Sequence, residues 1–198
     1  MSTESRKMEW ENAIDQMTKD ELHFVMEHPK GFHSGFLKMA KTKMEELSTM
    51  PEHEAMKMVI KRILEGMGCP CSIDEDGDLN FDYQGMAFNI TFTEKSHWIS
   101  ICDYNWKTVK LDDIDEVVRL KRAINKANQD SVVNTVYEII EEEQEMYIYC
   151  TRCILYRPMI TNFKKHLEII LHNFFHAHNL LNAELVLLQE RDRQNQPE

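Results

Sequence analysis

The sequence predicts an α+β fold, an antiparallel sheet with helices packed on one face, and three observations predict it. The stretch from Cys71 to Lys110 reads as three or four short strands. In it Leu79, Phe81 and Tyr83, and then Phe88, Ile90 and Phe92, alternate with polar or small neighbours. A period of two places one set on each face of a strand, so the apolar set needs a cover. Stretches of helical spacing flank this meander, in the order helix, meander, helix, hairpin, long helix. Strands joined by tight turns pair antiparallel, and helices grouped around them define the class.

Residues 1–48 read as an N-terminal helical extension. Met8, Trp10, Ile14 and Met17 lie at helical spacing. Thr18-Lys19-Asp20-Glu21 is a capping box that starts a second helix, ending near His28-Pro29. Gly31 breaks the chain, and Phe32, Phe36, Met39 and Met44 mark a third helix to about Ser48. The extension either packs on the domain that follows or presents its apolar faces to another molecule.

Residues 49–190 form the expected α+β domain. Thr49, with Pro51 in the first turn and Glu52 three residues on, predicts a helix with the stripe Met56, Val59, Ile60, Ile63, Leu64 and Met67. Gly66 and Gly68 stop it. Asp76-Gly77 makes the first hairpin turn and a Gly-Met turn at Gly85 the second, because glycine tolerates the positive φ such turns demand. His97 to Tyr104 is apolar on both faces, as a strand deeper in the sheet should be. Leu111-Asp112-Asp113 offers an N-cap to a helix with Ile114, Val117, Val118, Leu120, Ala123, Ile124 and Ala127, ending near Asn128. Val132 to Ile140 and Met146 to Tyr156 make a second hairpin around the acidic turn Glu141 to Glu145. Arg157-Pro158 closes it. Thr161 begins a long helix in which Phe163, Leu167, Ile170, Phe174, Ala177, Leu181 and Leu188 keep a heptad-like spacing. Residues 191–198 read as a polar tail.

At 198 residues, 42% hydrophobic and 29% charged, the chain is globular. A net charge of −11, from 34 acidic against 23 basic residues, argues against nucleic acid as a partner, since phosphate binding rests on clustered Lys and Arg. Met1 to Asp20 is polar, without the apolar core of a signal peptide, and no apolar run approaches the roughly 18 residues of a membrane span. The expectation is a cytoplasmic protein with no membrane partner. Five cysteines, an odd number, fit that compartment better than a disulfide framework. The 13 methionines read as soft core filling.

Three clusters invite chemistry. Asp74-Glu75-Asp76-Gly77-Asp78 suggests calcium, but an EF-hand loop needs Gly at its sixth position and Glu at its twelfth, whereas here Gly is fourth and Gly85 is twelfth. A solvated turn explains it better. Cys69, Cys71, Cys150 and Cys153 could supply four thiolates, yet the second pair lies mid-strand, where residues three apart face opposite ways. Glu168, His172 and His176 stack at i, i+4 and i+8, a weak metal candidate read first as a hydrated helix face. No GxSxG, GxGxxG or phosphate loop is present. The expectation is no enzyme, no cofactor and no stoichiometric zinc or calcium.

From Thr49 to Leu188 the chain resembles the YbjN-like family of bacterial sensory-transduction regulators, whose fold is similar to that of type III secretion chaperones. The residues that carry the resemblance are Leu64-Glu65-Gly66-Met67-Gly68 ending a helix, Asp74-Glu75-Asp76-Gly77-Asp78-Leu79 turning into a strand, and the long helix after Arg157-Pro158. Residues 1–48 lie outside it. The resemblance implies a regulatory or chaperone-like protein-binding role, often through dimers, and no catalytic residues. A non-enzymatic protein-binding or regulatory module is therefore expected. Its partner is a protein, it is expected to form a homodimer, and Phe32, Phe36, Phe174, Leu181 and Leu185 are its candidate interaction residues. The alternative is a small-ligand or metal-binding protein resting on the cysteines or the histidine column.

Overall fold

The computed structural model describes residues 3–17, 19–93, 97–156 and 162–194. The helices are α1 (Thr3–Asp15), α2 (Lys19–Glu27), α3 (Ser34–Ser48), α4 (Glu52–Gly66), α5 (Ile114–Ala127) and α6 (Phe163–Gln194). The strands are β1 (Cys71–Ile73), β2 (Leu79–Tyr83), β3 (Met86–Phe92), β4 (Trp98–Lys110), β5 (Asn134–Ile140) and β6 (Glu145–Leu155). They form one six-stranded antiparallel sheet in the order β1-β2-β3-β4-β6-β5. The α+β class is therefore as the sequence predicts, and β4, apolar on both faces, lies inside the sheet.

Local chemistry sets the boundaries. Gly68 takes φ +82, and the N–H groups of Gly68 and Cys69 return to Glu65 O and Leu64 O at 2.9 Å. That pairing closes the last carbonyls of α4 and needs a left-handed residue at Gly68. Asp113 caps α5 by accepting from the Glu116 N–H at 3.0 Å. The turn between β2 and β3 uses Gln84 (φ 51) and Gly85 (φ 83) rather than Gly-Met. Two positive φ values in succession match the twist of the flanking strands.

Two further expectations need correction. Thr49 does not start α4. Its hydroxyl donates to Glu46 O at 2.8 Å and so finishes α3, while Pro51, which has no side-chain acceptor, stands at the N-cap of α4. Residues 191–194 of the expected polar tail are helical, because α6 runs on to Gln194, and Arg119 of α5 donates to Asp192 at 2.9 Å. The sequence places a domain boundary in the chain at 48/49. Contacts divide it into one unit of Met1–Asp82, Ile90–Ile99 and Ile154–Lys164, and a second of Tyr83–Asn89, Ser100–Cys153 and Lys165–Glu198. Thr18, Arg157, Pro158 and Thr161, expected to cap or close elements, lie outside the described residues.

In the first unit the N-terminal helices fold back. Ile14, Leu22, Val25, Ala40 and Leu47 share a core with Ala55 of α4, flanked by Met17, Met26, Met39, Met44 and Met50. Asp15 adds a polar tie, pairing with Arg62 at 3.0 Å and with the buried Lys43 at 3.3 Å. In the second unit Val109, Met146 and Ile148 of the sheet pack with Leu120, Ala123, Ile124 and Ala127 of α5 and Leu181, Leu185 and Leu188 of α6. Phe88 meets Phe174 edge-on, centroids 5.2 Å apart. Fully burying each such side chain contributes about 1.5–3 kcal/mol.

Candidate functional site

The register of β5 and β6 sorts their side chains onto two faces. Thr135↔Cys150, Tyr137↔Ile148 and Ile139↔Met146 fall on one, and Val136↔Tyr149, Glu138↔Tyr147 and Ile140↔Glu145 on the other. The first carries the core shared with α5 and α6, and Lys121 of α5 lies over the Tyr137 ring at 5.0 Å. None of the six residues on the second is buried, so that face is open. Tyr104 of β4 joins it, its ring 5.8 Å from that of Tyr149, and remains 54% exposed.

On this uncovered face lies a shallow groove of about 260 Å³ lined by Tyr104, Glu138, Ile140, Glu143, Tyr147 and Tyr149. The Tyr147 hydroxyl sits between the carboxylates of Glu143 and Glu145, the latter at 3.0 Å. Those hydrogen bonds, Glu143 first, hold the Tyr147 phenol above its usual range. One O–H cannot satisfy two carboxylates, and no lysine or arginine is among the lining residues. The groove thus offers aromatic faces and spare anionic acceptors together.

A second cluster is buried on the helix side of the same unit. Asp103 of β4 lies in phase with Ile99 and Ile101, and is 1% exposed. Its Oδ1 accepts from the Cys150 N–H on β6, and its Oδ2 is 2.6 Å from Nε2 of His178 on α6. Apart from each other, neither atom of that ion pair has a hydrogen-bond partner. The Trp106 ring stacks on His178 at 4.4 Å. Burial holds the Asp103 carboxyl above the usual carboxylate range, against the opposing pull of His178 and of the Cys150 N–H. Burial, and then the Asp103 charge, push the Cys150 thiol up to about 12.

The residues singled out in the sequence lie elsewhere. Phe174, Leu181 and Leu185 are buried in the core of their own unit, so the apolar stripe that suggested a homodimer interface is already covered within the chain. What α6 exposes instead is Ile169, Val186 and Leu187. Phe36 packs against the core of α1–α3 and stacks on Phe32, which is partly exposed. In the histidine column His172 Nδ1 is 2.8 Å from Glu168 O and 3.4 Å from the Tyr83 hydroxyl, while His176 is exposed. Cys69 and Cys71 belong to the first unit and Cys150 to the second. In the acidic turn, Asp74 accepts from Asn80 at 2.8 Å and from the Asp78 and Asp76 N–H groups at 2.9 and 3.1 Å. These bonds, Asn80 first, lower its pKa and engage both carboxylate oxygens with the turn itself.

Cysteine labelling checks this placement. Cys153 is exposed, Cys69, Cys102 and Cys150 are buried, and burial raises Cys71 to about 11. With a pKa near 12, on the order of one Cys150 thiol in ten thousand is ionised at pH 8. Brief maleimide treatment of the folded protein at pH 8 should modify Cys153 first, with Cys150 reacting only on unfolding. Early modification of Cys150, read by peptide mass spectrometry, contradicts its burial.

Among the described residues no helix is long and apolar enough to cross a membrane. No protein-family model matches the chain, and no curated protein matches it in sequence. Among solved structures it is similar to YbjN, a candidate transcription regulator from E. coli, with a TM-score of 0.43 and 8% identity over 67% of this chain and 90% of that one. It is also similar to a chain of the HopA1-SchA chaperone-effector complex, with a TM-score of 0.42 and 12% identity over 64% of this chain and 93% of that one.

Proposed function

We propose that the protein is a non-enzymatic binding module, of the regulatory or chaperone-like kind, that docks a lysine- and arginine-bearing segment of a partner protein on the uncovered face of β4, β5 and β6. The observation that carries this reading is the groove of three tyrosines with Glu138 and Glu143, which has no cation of its own. A basic side chain there would meet tyrosine faces and carboxylates together, and the net charge of −11 would steer a basic partner toward the surface. Cys150, the thiol with a histidine beside it, is fully buried and strongly un-ionised, which disfavours nucleophilic chemistry.

The test is calorimetric titration of the intact chain with a short Lys/Arg-rich peptide and with its Glu-rich counterpart. The basic peptide should bind and weaken as salt rises, and the acidic one should not bind. Tyr149→Ala should weaken binding about fivefold, in line with a cation–π contact of about 1 kcal/mol. Glu138→Lys combined with Glu143→Lys should remove it. Equal binding of both peptides, or indifference to the double charge reversal, contradicts the reading.

A further inference from the structure

We propose that Asp103, Cys150 and His178 form a buried site for a divalent transition-metal ion, with zinc the ion best matched to the donor set. This rests on the core of the second unit and is independent of the groove on its other face. The three side chains come from β4, β6 and α6, all are buried, and their ligand-type atoms lie within 4.8 Å of one another. Among the described residues this is the group of three in which such atoms come so close. In the sequence Cys150 groups only with other cysteines, a set that predicts no zinc. The fold gives that thiol different neighbours.

Three features favour an ion over a plain core pair. Asp103 Oδ2 and His178 Nε2 face each other at 2.6 Å and have no further hydrogen-bond partner, so an ion entering between them breaks no other contact. One carboxylate, one thiolate and one neutral imidazole carry two negative charges, so a divalent cation makes the site neutral, as burial demands. A set of one oxygen, one sulfur and one nitrogen suits zinc or a similar borderline metal and not calcium or magnesium. The surrounding contacts are of the kind that orient ligands: the Cys150 N–H holds Asp103 Oδ1, Trp106 stacks on the imidazole, and the Thr135 hydroxyl lies 3.4 Å from Cys150 Sγ. Thr135 or a water completes four-coordination. Bonds of about 2.0–2.3 Å in a tetrahedron put ligand atoms about 3.3–3.7 Å apart. Entry of the ion therefore separates Asp103 and His178 by somewhat under about 1 Å.

Binding balances with protons. The Cys150 thiol loses one as its sulfur–metal bond forms, and the Asp103–His178 pair releases the one it shares. Two protons thus leave for each divalent ion bound, the charge within the site is unchanged, and affinity falls steeply as pH falls.

The experiment uses the full chain stripped with chelator and titrated with cobalt(II) and then zinc(II). Expected are one equivalent of cobalt with a thiolate-to-metal charge-transfer band, displaced by one equivalent of zinc. About two protons should be released, as read by calorimetry in buffers of different ionisation heat. Cys150→Ser should abolish the band and weaken zinc by more than about 100-fold, since even outer contacts of metal sites are worth 10–100-fold. Cys153→Ser should change neither. Circular dichroism of Cys150→Ser in the absence of metal checks that it folds, and metal content of the parent chain is read whether or not it does. Absence of stoichiometric zinc in the loaded parent chain, or a charge-transfer band that survives Cys150→Ser, overturns the proposal.

Discussion

Replacing His178 by Ala is expected to lower stability by about 3–5 kcal/mol in metal-free buffer, among the largest effects of any single change here. The substitution leaves the Asp103 carboxylate buried at 1% exposure with its ion-pair partner gone. Breaking a buried pair by removing one side costs that much because the other charge is left uncompensated. Converting both, as Asp103→Asn with His178→Gln, should cost clearly less than the sum of the single changes. The pH dependence has a definite sign. Burial raises the Asp103 pKa and His178 opposes that rise, so losing His178 raises it further. A raised carboxyl pKa stabilises the folded state below the unfolded value of about 3.9, and that stabilisation is lost as pH rises through the folded value. The deficit of His178→Ala should therefore grow from about pH 4 toward neutrality. Urea denaturation across that range measures it, and a deficit that shrinks with rising pH contradicts the assignment.

Phe174→Ala is expected to cost about 3–5 kcal/mol by a different mechanism. Phe174 is fully buried and meets Phe88 at an interplanar angle of 88°. Truncation removes that edge-to-face contact and leaves a cavity that α6, held along its length by Leu167, Leu171, Leu181 and Leu185, cannot close. Leu187→Ala on the same helix, 46% exposed, should stay within about 0.5 kcal/mol. Denaturant midpoints at unchanged slope read both, and a loss below about 1 kcal/mol for Phe174→Ala would contradict its place in the core.

Much of this fold was legible because its signals are local. The alternation of Leu79, Phe81 and Tyr83, the positive-φ glycines at 68 and 77, and the Asp113 cap each depend on a few neighbouring residues. The apolar stripe of α6 was equally plain, but its use was not. Phe174, Leu181 and Leu185 read as partner-facing because a sequence does not say that α5 and two strands converge on this helix. The start of α4 is not legible from Thr49 because a threonine suits both ends of a helix, and here its hydroxyl bonds the Glu46 carbonyl. The candidate sites were hidden for a related reason. Asp103 sits in phase with Ile99 and Ile101, and His178 on the same stripe as Phe174 and Leu181, so each was visible as a polar residue at an inward position. Their meeting depends on β4 and α6, far apart in sequence. In β6, tyrosines alternate with Met146 and Ile148, both sets apolar enough to be buried, so the open face becomes identifiable only once the helices are placed.

The most direct test of a docking role for that face is a nitrogen-15 correlation spectrum of the intact chain titrated with the Lys/Arg-rich peptide. Shifts concentrated on the amides of Tyr104, Glu138, Ile140, Tyr147 and Tyr149, with α1–α3 unmoved, are the predicted result. The contrary result is equally specific. A second groove, of about 470 Å³ and lined by Glu11, Asp15 and Glu46 together with Lys38, Lys43 and Arg62, lies in the first unit. Its carboxylates have cations beside them, and Asp15 and Glu46 are paired with Lys43 at 3.3 and 3.0 Å. Shifts confined to that groove, with the tyrosine strands silent, would contradict the proposed docking face.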